Sequence, residues 1–318
     1  MQAKNNLCKL FFAKTSNGVK KYLIIGGAGF IGTHLSKALL AKGNKVAVID
    51  IAAKSVNAGV MHYPINAQHA KSVDVVFSKE KPDFVFHLAG AINLRREITD
   101  PLFIKDMDFL LRAKIILDAC KKHKVKKIIF VSSGGAVYEN AKIVPTPEAY
   151  PAHPASLYGL ANLMIEKYIE LYCKNTNLHF SIARLSNVYG PGQWQSGFIP
   201  SIILRLLKNK SPVIHGMGNQ TRDFVYVSDA VDALILLAKK GDRINYNIGS
   251  GKEVSLNQVF ILIKDLIGIN IKPKYKKAPS LETKRSAVDI KKIKKEFGWQ
   301  PKIGMKEGLL KTIEFYDR

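Results

Sequence analysis

Residues 22–43 read YLIIGGAGFIGTHLSKALLAKG. The first four, 22–25, have the length and apolar character of a strand buried on both faces. They run into Gly26-Gly27-Ala28-Gly29-Phe30-Ile31-Gly32, after which apolar residues recur at helical spacing over 31–42. Gly26 permits a tight bend, Gly29 lets a pyrophosphate approach the backbone, and Gly32 lets helix and strand pack closely. The helix start then presents free N–H groups and a partial positive charge to phosphate. Gly26, Gly29, Phe30, Ile31 and Gly32 are therefore candidate dinucleotide-binding residues. Asp50 closes the next apolar run, 18 residues after Gly32. A carboxylate there accepts both ribose hydroxyls and repels a 2′-phosphate, so NAD is expected rather than NADP. The bland alternative for Asp50 is a helix cap.

Outward from this stretch the same alternation continues. Short apolar runs at 46–49, 84–88, 128–131, 180–183 and 246–248 read as buried strands, and 101–123, 156–174 and 229–239 read as helices. Strand and helix in alternation imply an α/β fold, a Rossmann-type doubly wound parallel sheet covered by helices on both faces. From Ser186 onward Gly and Pro become frequent (GPGQ, GMGN, GSGK), with helices expected at 198–208, 255–266 and 305–315. These later pieces read as a smaller α/β substrate-binding lobe interleaved with the sheet. The expected division is an extension at 1–20, an NAD-binding domain at 21–185 plus 223–250, and a lobe at 186–222 plus 251–318.

Composition excludes several classes. The 318 residues are 47% hydrophobic and 23% charged, enough for a sizeable core and unlike a disordered chain. No apolar run approaches the roughly 18 residues a membrane helix needs. Cys8, Cys120 and Cys173 are far apart, which argues against a disulfide framework or a structural zinc site and fits the reducing cytoplasm. His34, His87 and His215 lie on unrelated elements, so no metal site is expected. Lys+Arg outnumber Asp+Glu by 49 to 25, a net charge of +24. The sharp reading is a polyanionic partner; the bland one, preferred because the clusters at 121–127, 272–277 and 291–295 do not interleave with several aromatics, is a lysine-rich solvated surface. No nucleic-acid partner is expected.

The remaining motifs resemble a known family. GGAGFIG (26–32), FHLAG (86–90), VSSGGAVY (131–138), YGLAN (158–162), SNVYGPGQ (186–193), TRDFVYVSDA (221–230), NIGSG (247–251) and DIKKIKKEFGWQPK (289–302) occur in the order of the extended short-chain dehydrogenase/reductases. Within these the chain is similar to the UDP-glucose 4-epimerase type of nucleotide-sugar epimerase. The resemblance implies an NAD-dependent isomerase of carbohydrate biosynthesis, homodimeric through helices 101–123 and 156–174, acting on a UDP-hexose or UDP-N-acetylhexosamine. It adds Leu88, Ala89 and Gly90 to the cofactor site and makes Tyr158 the base on the sugar hydroxyl.

Two departures bear on that chemistry. The family's lysine four residues after the tyrosine is Asn162 here, an amide without charge, and Lys167 is nine residues on and faces elsewhere. Asn162 takes the catalytic position, with three alternatives: the nicotinamide's own charge and another cation suffice, turnover is low, or the chain binds without turning over. The hydroxyl partner is Ser133 counting from Ser132, whereas counting back from Val137-Tyr138 places it on Gly134; Ser133 is chosen. Gly135 and Ala136 stand where related dehydratases carry an acid pair, which favours epimerisation over 4,6-dehydration. Glu139 replaces a family glycine, and Asp108 and Leu111 replace a common asparagine and glycine.

For the substrate, Asn187 matches a phosphate-binding position, with a turn-forming asparagine as its alternative. Arg222 matches a diphosphate-binding arginine, with an ion pair to Asp223 as its alternative. Residues 213–218 are expected to line the uracil pocket. A further family arginine is replaced near Pro279 and Ser280, with Arg285 as a substitute. Ser286 is a small gate that would admit an N-acetyl group. The rival readings are a nucleotide-sugar reductase or dehydratase, and a non-catalytic NAD and sugar-nucleotide binding protein.

Overall fold

A computed structural model describes residues 18–53, 57–88, 108–278 and 283–318. The expectations for 1–17, Ala89, Gly90, 101–107, Pro279 and Ser280 fall outside them. Seven parallel strands form the central sheet: β1 (Lys21–Ile25), β2 (Lys45–Asp50), β3 (Met61–Pro64), β4 (Phe84–His87), β5 (Lys127–Ser133), β6 (His179–Leu185) and β11 (Ile244–Ile248). Their spatial order is β11-β6-β5-β4-β1-β2-β3. The register is set early, with Leu23 opposite Ala47 on β2 and Val85 on β4.

Successive side chains of a strand point to opposite faces, so the sheet builds two cores. On one face Tyr22, Ile24, Val48 and Phe86 pack with α1 (Phe30–Ala41) and α7 (Val227–Lys239). On the other, Leu23, Ile25, Val85 and Ile128 pack with α2 (Ala70–Glu80), α3 (Asp108–Lys122) and α5 (Leu157–Lys174). This is the expected doubly wound α/β layer structure. Helix α4 (Gly134–Val137) is one short turn after β5.

The later segments build small pairs around α6 (Phe198–Leu207), α8 (Leu256–Ile267), α9 (Lys291–Phe297) and α10 (Met305–Tyr316). β7 (Asn187–Tyr189) pairs in parallel with β10 (Phe224–Tyr226), β8 (Val213–His215) with β13 (Lys274–Lys276), and β9 (Thr221–Arg222) runs antiparallel to β12 (Val254–Ser255). The first core is continuous with this lobe through Ile199, Ile203, Val259 and Leu309.

The order reverses at β1. β2 lies on one side and β4 on the other, so their connections leave to opposite faces and open a crevice at the carboxyl ends of the strands. In such sheets ligands bind there.

Candidate active site

The crevice is a cleft of about 520 Å³. Gly26, Gly29, Phe30, Ile31, Gly32 and Leu88 line one end, and Ser133, Tyr158, Asn162 and Asn187 line the other. Five segments that are distant in sequence supply them, each at the carboxyl end of a strand or opening a helix.

The glycine turn has the geometry its sequence demanded. Gly26 sits at φ 83°, in the left-handed region. A Cβ on Gly32 would lie 2.6 Å from both Gly26 O and Gly27 Cα, so only glycine lets α1 start this close to β1. Gly27 has an unread role: a Cβ there would fall 2.5 Å from the Val48 side chain on β2. Asp50 is not a helix cap. One carboxylate oxygen accepts from Ala28 N at 3.0 Å and the other from Ala52 N at 3.0 Å, which fixes it beside the turn. His34 ties α1 to the far loop through Pro191 O, at 2.8 Å.

At the other end, Ser156 caps α5 by accepting from Gly159 N at 3.1 Å, and Tyr158 follows in the first turn. Gly159 is required, since a Cβ would lie 2.4 Å from Ala136 O on the short turn after β5. That close approach brings Ser133 to the phenol. Burial raises the Tyr158 pKa above the ordinary 10, while hydrogen bonds from the Ser133 and Asn162 side chains oppose it. Of the two serines, Ser133 faces Tyr158; Ser132 donates instead to Glu166 Oε1 at 2.5 Å. Asn162 is buried and also donates to its own helix at Tyr158 O, 2.8 Å away.

No cation among the described residues acts on the phenol. Lys167 is exposed and pairs with Glu170 at 2.9 Å. Arg184 on β6 is committed to Glu166: Nη2 meets Oε2 at 2.5 Å, Nε reaches both oxygens, and Nη1 donates to Tyr138 Oη at 2.5 Å. Glu166 and Arg184 are 0% and 4% exposed. Their charges cancel locally and cannot replace a lysine at 162. Sequence reading missed this pair because it joins a helix to a strand with no spacing signature.

On the substrate side, a Cβ on Gly135 would lie 3.4 Å from Ser286 Oγ and 3.7 Å from Asn187 Oδ1, so the three converge. Arg222 is not brought to the cleft. Its Nη1 donates to Thr221 O and Thr283 O, each at 2.8 Å, and Asp223 accepts from Ser250, Gly251 and Val288 rather than pairing with it. Arg285 forms an exposed pair with Glu253 at 2.5 Å. Two unread positions line the cleft, Ser186 and Gln193. Their Oγ and Oε1 atoms are shielded from solvent and have no hydrogen-bond partner. Both lie in the SNVYGPGQ segment, which was the available signal. Among the described residues no three His, Cys, Asp or Glu side chains gather as a metal site.

The residues present fit a dinucleotide. Gly32 lets α1 start against β1 so that its N-terminus opens on the cleft, Asp50 is held beside the turn, and the buried Ser186 Oγ and Gln193 Oε1 have no hydrogen-bond partner among the described residues. Comparison with known proteins agrees. Residues 22–249 match the model of the NAD dependent epimerase/dehydratase family. A putative UDP-glucose 4-epimerase of Methanocaldococcus jannaschii is 37% identical over 299 residues, covering 92% of this chain and 97% of that one. The UDP-glucose 4-epimerase of Thermotoga maritima, solved with UDP-glucose, superposes with a TM-score of 0.89 at 35% identity over 93% of this chain and 98% of that one. The Thermus thermophilus UDP-glucose 4-epimerase, solved with NAD, gives 0.86 at 29% identity over 93% and 98%. The chain therefore belongs to the NAD-dependent epimerase/dehydratase family, with NAD as its cofactor.

Proposed function

We propose that this chain is a nucleotide-sugar 4-epimerase acting on a UDP-hexose or UDP-N-acetylhexosamine, slowed by Asn162. The carrying observation is Tyr158 in the cleft with Ser133 and Asn162 as its hydrogen-bond partners. Bound NAD supplies reversible hydride acceptance at the sugar carbon. Gly26, Gly29, Phe30, Ile31, Gly32, Leu88 and Asp50 hold it, with Ala89 and Gly90 assigned by resemblance. Tyr158 takes the proton from the sugar hydroxyl as its carbon is oxidised and gives it back on reduction. Ser133 holds the phenol and the sugar oxygen in one hydrogen-bonded line.

The protonation state sets the rate. A tyrosine of ordinary pKa ~10 is phenolate in about one molecule in a thousand at pH 7. Bringing it to neutrality requires about 4 kcal/mol of preferential phenolate stabilisation. Asn162 donates one neutral hydrogen bond, worth roughly 1 kcal/mol, and burial works in the opposite direction. Turnover is therefore slow near neutrality.

Asn187 and Ser286, converging on Gly135, support a sugar and phosphate site at this end. The small Ser286 supports an N-acetylated hexose. Gly135 and Ala136, without carboxylates, disfavour the dehydratase alternative. Arg222 is assigned to the diphosphate by resemblance, and engaging it requires its guanidinium to leave Thr283 O. A homodimer through α3 and α5 is part of the proposal; Leu111, Leu160 and Leu171 on them are 49%, 42% and 64% exposed. So is a cytoplasmic setting, in keeping with the free Cys120 and Cys173. The second reading, a non-catalytic binding protein, rests on Asn162 alone.

Incubating the protein with NAD and UDP-N-acetylglucosamine or UDP-glucose, and following 4-epimer formation, decides between them. Slow native turnover that rises at least ~10-fold in Asn162→Lys is expected, since an opposite charge shifts a neighbouring pKa by one to three units. Binding of both ligands with no turnover in either protein makes the second reading correct.

A further inference from the structure

A second and larger hollow lies at the opposite edge of the sheet. It measures about 1560 Å³ and is lined where β1, β4, β5 and β6 begin and where α1, α3, α5 and α7 end. Among the described residues eight lysines and Arg243 line it, and no aspartate or glutamate does. Part of this charge has a structural task. Lys127 is 1% exposed, and its ammonium donates to carbonyls at the end of α7, Leu237 O at 2.5 Å and Lys240 O at 2.9 Å. Arg243 likewise donates to Cys173 O at 2.7 Å and Thr176 O at 3.0 Å, at the end of α5.

Helix capping does not account for the rest. Each helix C-terminus carries about half a negative charge, so four supply roughly two. Two carboxylates stand nearby, Asp83 with Lys126 and Asp242 with His179. Among the described residues these offset about four of nine cations, and roughly five positive charges are left without compensation there. Lys42, Lys124 and Lys239 are exposed and have no carboxylate partner among the described residues.

We propose that this groove binds a linear polyphosphate chain. β1, β4, β5 and β6 are consecutive in the sheet, so at about 4.8 Å per strand the cations spread over roughly 15 Å. A single phosphate reaches one or two of them, whereas a chain of phosphates reaches all. Nucleic acid is disfavoured by the aromatic residues of the groove. Tyr22 and Phe84 are 2% and 8% exposed and stacked on each other at 5.3 Å, leaving no ring face for a base. The concavity also suits a strand better than a flat lipid surface.

The test is titration of the full chain with inorganic polyphosphate, alongside single-stranded DNA and inorganic phosphate, across a salt series. Polyphosphate is expected to bind with affinity falling about 100-fold from 50 to 200 mM salt, as roughly five contacts at 0.7 per contact require. The exposed triple variant Lys42→Glu, Lys124→Glu, Lys239→Glu is expected to lose about two units of that salt slope while keeping NAD affinity, which reports that it is folded. Equal polyphosphate binding by the variant, no polyphosphate binding at physiological ionic strength, or DNA binding that polyphosphate does not displace would each overturn the proposal.

Discussion

Asn162 leaves the phenol of Tyr158 with only neutral side-chain partners among the described residues, and this is the residue on which the proposed chemistry turns. Ser133 and Asn162 hydrogen-bond the phenol, but burial outweighs them and the pKa remains raised. Replacing Tyr158 with Phe removes the base and is expected to lower 4-epimerisation by 10²- to 10⁴-fold with NAD affinity retained, measurable by turnover beside cofactor titration. Gly32 makes a separate prediction. Gly32→Ala places a methyl 2.6 Å from backbone atoms of Gly26 and Gly27, which cannot yield as a side chain would. It is expected to cost about 1–3 kcal/mol of stability and to weaken NAD binding by at least ~10-fold, read by thermal unfolding and titration. At this scale the bend at Gly26 and the close packing at Gly32 were legible, because a motif states where backbone must approach backbone. Gly27 was not, because the side chain that forbids a Cβ, Val48, belongs to another strand.

At the scale of elements, strands buried on both faces were legible to within one or two residues, as for 22–25 against Lys21–Ile25 and 246–248 against Ile244–Ile248. β3 was missed. It is an edge strand, MHYP, with no buried residue, so the apolar run that betrays a central strand is lacking. α2 was missed because only Val73, Val76 and Phe77 of its 11 residues are buried. α9 was read only as a basic cluster; its single buried residue is Ile293. The Glu166–Arg184 pair joins α5 to β6 beneath the cleft and also holds Ser132. Glu166→Ala leaves a buried guanidinium without its partner and is expected to cost 3–5 kcal/mol in denaturant unfolding. His87, at the end of β4, is 1% exposed, and neither ring nitrogen has a hydrogen-bond partner among the described residues. Burial, with Arg112 adding to it, pushes its pKa down to about 3. The folded form therefore holds His87 neutral where the unfolded chain binds a proton. Stability from this group is complete above pH ~6.5 and falls toward pH 3 by about 1.4 kcal/mol per unit. His87→Phe is expected to flatten that decline between pH 6 and 4; an unchanged slope contradicts the assignment.

Over the whole molecule, one sheet separates two sites of opposite character. The carboxyl edge carries the cleft lined by the glycine turn and Tyr158, and the amino edge carries a cationic groove visible in the sequence only as excess lysine. Composition counts charges but does not say that helix ends from across the chain converge on one hollow. Beyond Ser186, position depends on pairings between segments distant in sequence: Arg222 sits in the β9 and β12 pairing and contacts Thr283, outside the cleft lining. Association is the remaining question at this scale. If α3 and α5 form a shared contact, Leu111→Asp with Leu171→Asp is expected to convert a dimer to a monomer in light scattering with the fold retained. A monomeric native chain contradicts that part of the proposal.

The most direct measurement is the pH dependence of 4-epimer formation with saturating NAD and UDP-sugar. Because the phenol of Tyr158 is held above its ordinary pKa, the native rate should climb about tenfold per pH unit from pH 7 to 9 without levelling, while Asn162→Lys levels off at lower pH. A native rate that is flat across that range would show that a different group removes the proton.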